Sequence, residues 1–183
     1  MPLSAYDRLS EQCQDGWFKL QLTITLGNLE DASVDALIYS TNPNLALTGG
    51  VGQALLNKYG HEFQDRLYQQ SEIPVETGSV LTTINPWPLC FHCIAVDENY
   101  QVDDKKVINM LKECFAACDE NFAIQSVALS PIGCGYGNLH VSEFGGLLRQ
   151  VCKLFDASDL KVTLVTQQKS DYETLQKVLR AFN

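Results

Sequence analysis

Residues 34–53 read VDALIYSTNPNLALTGGVGQ and contain, in order, an apolar run, a glycine-rich loop and the start of a helical pattern. The run at 36–40 is short and apolar on both faces, which is typical of a strand that helices cover on two sides. The helical pattern runs from 52 to 59 and ends at Gly60. A strand that leads through glycines into a helix predicts an α/β sheet with a binding loop at the carboxyl end of that strand.

A second stretch repeats this order. Residues 126–129 are apolar, residues 130–138 form a loop with three glycines, and a helical pattern starts at Val141. The chain carries 22 aspartates and glutamates in 183 residues, yet none lies at 36–61 or at 121–142. Because backbone N–H groups and helix N-termini attract negative charge, two acid-free loops of this kind predict a site for a phosphate or diphosphate.

The predicted ligand-binding residues are those that bring main-chain amides to the phosphates. They are Gly49, Gly50, Val51 and Gly52 in the first loop, and Ile132, Gly133, Cys134, Gly135, Tyr136 and Gly137 in the second. The alternative interpretation is that both loops are only tight turns beside buried strands. Neither loop carries the Gly-Lys-Ser/Thr of a P-loop or a Gly-x-Gly-x-x-Gly run, so spacing alone names no nucleotide, and we predict no bound cofactor.

Strand and helix patterns alternate along the rest of the chain. Apolar or alternating runs predict strands at 18–26, 36–40, 80–84, 91–96, 126–129 and 162–165, and helical spacing predicts helices at 52–59, 61–71, 103–121, 141–155 and 170–182. This order predicts a three-layer α/β/α sandwich with a mixed, mostly parallel central sheet. The connection between 80–84 and 91–96 is too short for a crossover helix, so we expect that pair to be antiparallel.

Composition limits the class of protein. With 45% apolar residues, the chain fits one domain over residues 1–183, whose first fifteen residues form a short helix or a loose arm. A net charge of −9 argues against nucleic acid as the main partner, because that affinity depends on lysine and arginine. No run approaches the roughly 20 apolar residues of a membrane span, so we expect no membrane partner.

The seven cysteines are an odd number without an apolar leader, which favours free thiols in a reducing cytoplasm, or in the nucleus of a eukaryote. Cys90 and Cys93 are three positions apart at the start of a predicted strand, so they should point to opposite faces. Cys114 and Cys118 share a helix face that is otherwise apolar. We therefore predict no metal site.

Four motifs in the same order resemble the macrodomain family. Residues 34–42 (VDALIYSTN) with 49–51 (GGV) are similar to the family run V-D-A-I-V-N-A-A-N…G-G-G-V-D. The later segments TGSV at 77–80, FHCIA at 91–95 and SPIGCG at 130–135 resemble the family's T-G-E-A, its I-H-T-V-G and its second phosphate loop. That last loop is most similar to the ADP-ribose glycohydrolase branch. The resemblance covers nearly the whole chain.

The resemblance implies an ADP-ribose pocket. In it the two glycine-rich loops hold the diphosphate, the distal ribose lies by Asn42, and the adenine lies near the end of the first strand. The chain has Asn28 where the family usually has an aspartate that accepts from the adenine amino group, although an amide oxygen can also accept. Asn42 has an alternative role as a turn-forming residue before Pro43.

The positions that catalyse hydrolysis in the family are not matched. Gly52 and Gly137 stand where hydrolytic members carry acids, and residues 80–84 lack the lysine of the glycohydrolase branch. Cleavage of a glycosidic bond needs an acid, a base or a nucleophile. Cys134, His92 and His140 are more simply a packing residue in a turn, a core residue and a solvated residue at a helix entry, so we predict no catalytic residue.

Three functions therefore stay open at this point. The leading prediction is a domain that binds ADP-ribose, free or attached to a macromolecule. The first alternative is an ADP-ribosyl hydrolase in which the substrate phosphate and a bound water replace the missing acid. The second alternative is a degenerate domain that serves as an interaction module.

Overall fold

The strands and helices follow the predicted alternation in the computed structural model, which describes residues 20–180. The strands are β1 Gln21–Leu26, β2 Ala36–Thr41, β3 Val80–Thr83, β4 Leu89–Ile94, β5 Ser126–Leu129 and β6 Lys161–Thr166. The helices are α1 Gly50–Tyr59, α2 His61–Tyr68, α3 Asp104–Asp119, α4 Val141–Leu154 and α5 Lys169–Arg180, with a 3-10 turn at Leu29–Asp31. The N-terminal arm predicted for the first fifteen residues lies outside the described residues.

The strands form one six-stranded sheet in the order β1-β6-β5-β2-β4-β3. Every neighbouring pair is parallel except β3 with β4, which are antiparallel as the short connection predicted. β2 lies inside the sheet and pairs with both β4 and β5. The mixed, mostly parallel sheet of the predicted fold class is thus confirmed.

Helices cover both faces of the sheet and enclose two separate cores. The α1 and α2 side buries Leu55, Phe63 and Leu67 with Leu37 and Tyr39 of β2. The α3, α4 and α5 side buries other residues of β2, among them Ala36 and Ile38. Because side chains alternate across a strand, one apolar run supplies both cores.

The cysteines follow the same alternation. Cys90 belongs to the core under α1 and α2, whereas Cys93 belongs to the opposite core with Cys114 and Cys118. The Cys93 and Cys114 Sγ atoms lie 3.8 Å apart, and all six cysteines of residues 20–180 are free thiols. Within the same residues, no group of three or more histidine, cysteine or acidic side chains could hold a metal ion. No helix in this part of the chain is long and apolar enough to cross a membrane.

His92 lies in the core, within a network of buried polar groups. It is fully buried on β4, where Nδ1 is 2.5 Å from the Tyr39 hydroxyl and Nε2 is 2.8 Å from the Thr83 hydroxyl. A neutral imidazole has one donor and one acceptor nitrogen, so the two bonds satisfy both. Burial lowers the pKa of His92 from 6.5 to about 3, because water cannot solvate the charged ring.

We expect His92 to make the fold sensitive to acid. Its pKa is depressed in the folded state, so its contribution is complete above the unfolded pKa of 6.5 and is lost as the pH falls toward about 3. At about 1.4 kcal/mol per pH unit, the loss reaches about 3 kcal/mol by pH 4. Urea unfolding at several pH values should show this slope in the wild type and its absence in His92→Gln.

The matched control is His61→Gln, on the exposed first turn of α2. It leaves the buried network intact, and we expect it to keep the wild-type slope. Equal slopes for the wild type and His92→Gln between pH 6.5 and 4 would contradict the assignment of a neutral, hydrogen-bonded histidine.

Candidate functional site

A cleft of about 980 Å³ lies at the edge of the sheet where the parallel strands end. Its walls come from three connections, which we name loop 1 (42–49, between β2 and α1), loop 2 (130–140, between β5 and α4) and loop 3 (95–103, between β4 and α3). Residues 74–77, before β3, complete the wall. The cleft therefore lies at the place that the α/β fold predicts for a ligand.

Asn42 organises loop 1 and also lines the cleft. Its Nδ2 donates to the Ala46 carbonyl oxygen at 2.8 Å, and its Oδ1 accepts from the Asn44 N–H at 3.1 Å and the Ala46 N–H at 3.4 Å. The predicted role in a turn and the predicted position beside a ligand are thus compatible. One Nδ2 hydrogen is left for a ligand.

Gln64 binds the main chain of loop 1 from α2, and the sequence did not predict it as a site residue. This buried α2 residue donates from Nε2 to the Leu45 carbonyl oxygen at 2.8 Å and accepts at Oε1 from the Leu47 N–H at 2.9 Å. Leu45 and Leu47 are buried, and Leu45 has a φ of 57°, which is uncommon for a residue with a side chain. The signal in the sequence was a polar residue on the apolar face between Phe63 and Leu67.

The N-terminus of α1 opens into the cleft without a protein cap. Gly49 is its N-cap, no side chain of residues 20–180 caps the helix, and the first turn contains no acid. The first N–H groups of a helix have no intrahelical acceptor. Gly49 and Gly52 line the cleft, so these donors and the positive end of the helix dipole are available to an anion there.

Loop 2 meets loop 1 at Tyr136 and Gly49. A Cβ at Gly49 would lie 2.1 Å from the Tyr136 hydroxyl oxygen, so only glycine permits this contact. The Tyr136 ring remains 71% exposed, and its centroid is 6.4 Å from that of Tyr100 in loop 3. The two loops therefore face each other, and an exposed aromatic ring spans the gap between them.

Close packing and one side-chain amide fix the shape of loop 2. A Cβ at Gly137 would lie 2.2 Å from the Gly133 carbonyl oxygen, so the loop folds tightly on itself. Asn138 accepts at Oδ1 from the Val102 N–H and donates from Nδ2 to the Gln101 Oε1, both at 2.9 Å. These bonds fasten loop 2 to loop 3.

The α4 helix that follows loop 2 differs from α1 at its N-terminus. The Glu143 carboxylate accepts from the His140 N–H at 3.0 Å, so α4 is capped by an acid in its own first turn. A carboxylate there already interacts with the helix dipole. Loop 2 can therefore offer main-chain amides to an anion, whereas α1 is the one of these two helices whose N-terminus has no side-chain cap among the described residues.

Cys134 does not have the environment of a nucleophile. Its thiol donates to the Ile132 carbonyl oxygen at 3.6 Å, and burial raises its pKa to about 12, with Asp171 and Glu143 adding to the effect. A reactive cysteine needs a lowered pKa, since the thiolate is the attacking species. The structure supports the interpretation of Cys134 as a packing residue.

Three carboxylates line the wall of the cleft that the two glycine-rich loops do not form. They are Glu76 before β3, and Asp97 and Glu98 in loop 3. No lysine, arginine or histidine is among the described residues that line the cleft. A bound anion would therefore depend on neutral donors and the α1 dipole, without a basic side chain from the described residues.

The structure separates the predicted ligand-binding residues into two groups. Those that line the cleft are Asn42, Gly49, Gly52, Gly133, Tyr136 and Gly137. Those that do not line it are Asn28, Gly50, Val51, Ile132, Cys134 and Gly135. Asn28 is exposed and already bonded, because it donates to Asp31 at 3.0 Å and accepts from Gln167 at 3.1 Å. Ile132 is buried in the core beside α3 and α4.

The fold and the cleft define an α/β/α domain with a cleft at the carboxyl edge of its sheet. A family model described as Macro domain matches residues 38–144, a range that includes loops 1, 2 and 3. The chain therefore belongs to the Macro domain family. A search of curated proteins found no match.

Solved macrodomains share the fold at low sequence identity. The Oceanobacillus iheyensis macrodomain with MES bound is 18% identical with a TM-score of 0.80, over 92% of this chain and 95% of that chain. The same macrodomain with ADP is 17% identical with a TM-score of 0.80, over 92% and 94%. The Trypanosoma brucei macrodomain in complex with ADP-ribose is 15% identical with a TM-score of 0.75, over 85% and 68%.

Replacement of Gln64 should weaken the fold through loop 1. In Gln64→Met, the buried Leu45 carbonyl and Leu47 N–H lose their partners, and each buried polar group without a partner costs about 1–3 kcal/mol. We expect the free energy of unfolding to fall by about 2–4 kcal/mol in a urea titration. Gln70→Met is the control, because Gln70 is exposed and its side chain donates to the Arg66 carbonyl oxygen, which is itself exposed to water at this bond. Similar losses for both variants would contradict this role of Gln64.

Proposed function

We propose that this chain binds ADP-ribose, either free or attached to a protein or nucleic acid. The observation that carries the proposal is the cleft at which the uncapped N-terminus of α1 and the tightly folded loop 2 face each other. Membership of the Macro domain family supports it. So do the ligands of two similar structures, ADP in one and ADP-ribose in the other.

The diphosphate lies between loops 1 and 2 in this proposal. Main-chain N–H groups of the first turn of α1 bind it, and each such bond to a charged oxygen contributes about 1.5–3 kcal/mol before ordering costs. Asn42 at the end of β2 binds the distal ribose, and Tyr136 covers the gap between the loops. Because no basic side chain lines the cleft among the described residues, we expect affinity in the micromolar range and a weak dependence on salt.

A second candidate function is hydrolysis of an ADP-ribosyl bond. The glycine-rich loops contain no acid, but the cleft obtains carboxylates from Glu76, Asp97 and Glu98. A carboxylate can act as the general base for a water molecule at the anomeric carbon. Release of ADP-ribose from a modified protein by the wild type, and its loss when all three acids become amides, would favour this function over binding alone.

The compartment is also part of the proposal. The Cys93 and Cys114 thiols are in contact without a disulfide between them. This supports a reducing compartment such as the cytoplasm, because thiols stay reduced there.

Ligand binding can be tested by thermal unfolding of the purified chain. A ligand at about 100 times its Kd adds about 2.7 kcal/mol, which raises the Tm by about 5–11 °C for a domain of this size. We expect ADP-ribose to produce this shift, and ADP a smaller one. No shift at millimolar ADP-ribose would contradict the proposal and favour the interaction-module alternative.

Two glycines at the ends of α1 test where the ligand lies. Gly50 has a φ of +51° and Gly60 a φ of +81°, and a Cβ at either position would meet no atom within 4 Å. Valine at each site therefore imposes backbone strain, at a cost of about 1–2 kcal/mol. We expect Gly50→Val to weaken ADP-ribose binding at least about tenfold by calorimetry, because the amides of the first turn move. Gly60→Val should bind like the wild type, and equal affinities for both variants would exclude α1 as the phosphate site.

A further inference from the structure

The two walls of the cleft differ in charge. Loop 1 and loop 2 contribute no acid, and the N-terminus of α1 opens between them. Loop 3 and residues 74–77 contribute Glu76, Asp97 and Glu98. A ligand with an anionic group therefore has one favourable orientation, with its phosphates toward α1 and its other end toward the acids.

Asp97 is the acid whose position the structure fixes. Its Oδ1 accepts from the N–H groups of Asn99 and Gln101, both at 2.8 Å. Its main chain closes the same turn, since the Asp97 N–H donates to the Gln101 carbonyl oxygen at 3.1 Å and its carbonyl accepts from Tyr100 at 3.0 Å. The side chain is half-buried, whereas Glu76 and Glu98 are exposed.

The second oxygen of Asp97 is available to a ligand. Oδ2 makes no hydrogen bond within residues 20–180. Asp97 lies three residues after Ile94, which pairs with Thr41 at the end of β2, and Asn42 follows Thr41. Asp97 and Asn42 therefore line the same end of the cleft.

The chemistry of that oxygen restricts what it can contact. An ionised carboxylate only accepts hydrogen bonds, so its partner must carry a donor. Phosphate oxygens have none when ionised and share its negative charge, whereas the hydroxyl groups of a sugar are donors. We propose that Asp97 accepts a hydrogen bond from a hydroxyl of the ligand's terminal sugar and so selects a nucleoside diphosphate that carries this sugar over one that lacks it. This inference rests on the proposed function.

Two consequences follow from this role of Asp97. The terminal sugar adds a hydrogen bond to a charged acceptor, so ADP-ribose should bind about tenfold or more tightly than ADP. The carboxylate also repels the terminal phosphate of ADP, which carries more negative charge than the same phosphate esterified by the sugar in ADP-ribose. Both effects favour the ligand with the sugar.

The substitution Asp97→Asn isolates the second oxygen. The asparagine Oδ1 can still accept from the Asn99 and Gln101 N–H groups. The flipped side chain is unfavourable, because its NH₂ group would then face these two N–H donors. The group at the Oδ2 position then becomes an NH₂ donor that cannot accept a hydroxyl. By calorimetry we expect the affinity for ADP-ribose to fall about tenfold, with that for ADP unchanged or increased.

Glu98→Gln is the matched control, because it removes the same charge from the neighbouring, exposed position on the cleft. We expect it to change the affinities for ADP and ADP-ribose by the same factor. An Asp97→Asn protein that keeps the wild-type preference for ADP-ribose over ADP would overturn the inference. A Glu98→Gln protein that loses this preference to the same extent as Asp97→Asn would also overturn it.

The wild type supplies an outcome that does not depend on how a variant folds. Equal affinities for ADP-ribose and ADP would overturn the role of Asp97 and leave the proposed function standing. Failure of the wild type to bind either compound would contradict the proposed function itself. A tenfold preference for ADP-ribose that Asp97→Asn abolishes supports both.

Discussion

The position of β2 between β4 and β5 is the constraint on which the site depends. Parallel pairing on both sides places the carboxyl ends of these three strands next to each other, so loops 1, 2 and 3 must meet at one edge. The strand cannot slip, because a shift of one residue would exchange the side chains that serve the two cores. A buried strand of six residues, Ala36–Thr41, thus determines where the cleft lies.

Satisfaction of buried polar groups then decides the shape of the loops. Loop 1 sends Leu45 and Leu47 into the core, so their main-chain groups leave water and need partners. Gln64 provides partners for the Leu45 carbonyl and the Leu47 N–H, and Asn42 binds the main chain of Ala46 between them. Asn138 of loop 2 and Asp97 of loop 3 bind main-chain N–H groups of loop 3 at more exposed positions. Four polar side chains therefore hold the walls of the cleft in place.

Periodicity predicted the fold well because burial imposes it on every strand and helix. The predicted strand at 126–129 matches β5, and the others that lie within the described residues differ by at most two residues at either end. The predicted helix at 61–71 is too long, since α2 ends at Tyr68 and the polar residues after it have no core to face. Gln64 and Asp97 were not predicted as site residues. The partners of Gln64 lie in loop 1, a separate segment, and those of Asp97 come within reach only when the turn at 97–101 has folded.

The two glycine-rich loops contain no acid, but they form only part of the wall of the cleft. Loop 3 and residues 74–77 are distant in sequence and bring three carboxylates to the same space. A protein with a net charge of −9 can still attract an anion where neutral amides and a helix dipole act at short range. In the proposed binding mode, repulsion between the three carboxylates and the phosphates favours the orientation in which the phosphates lie toward α1.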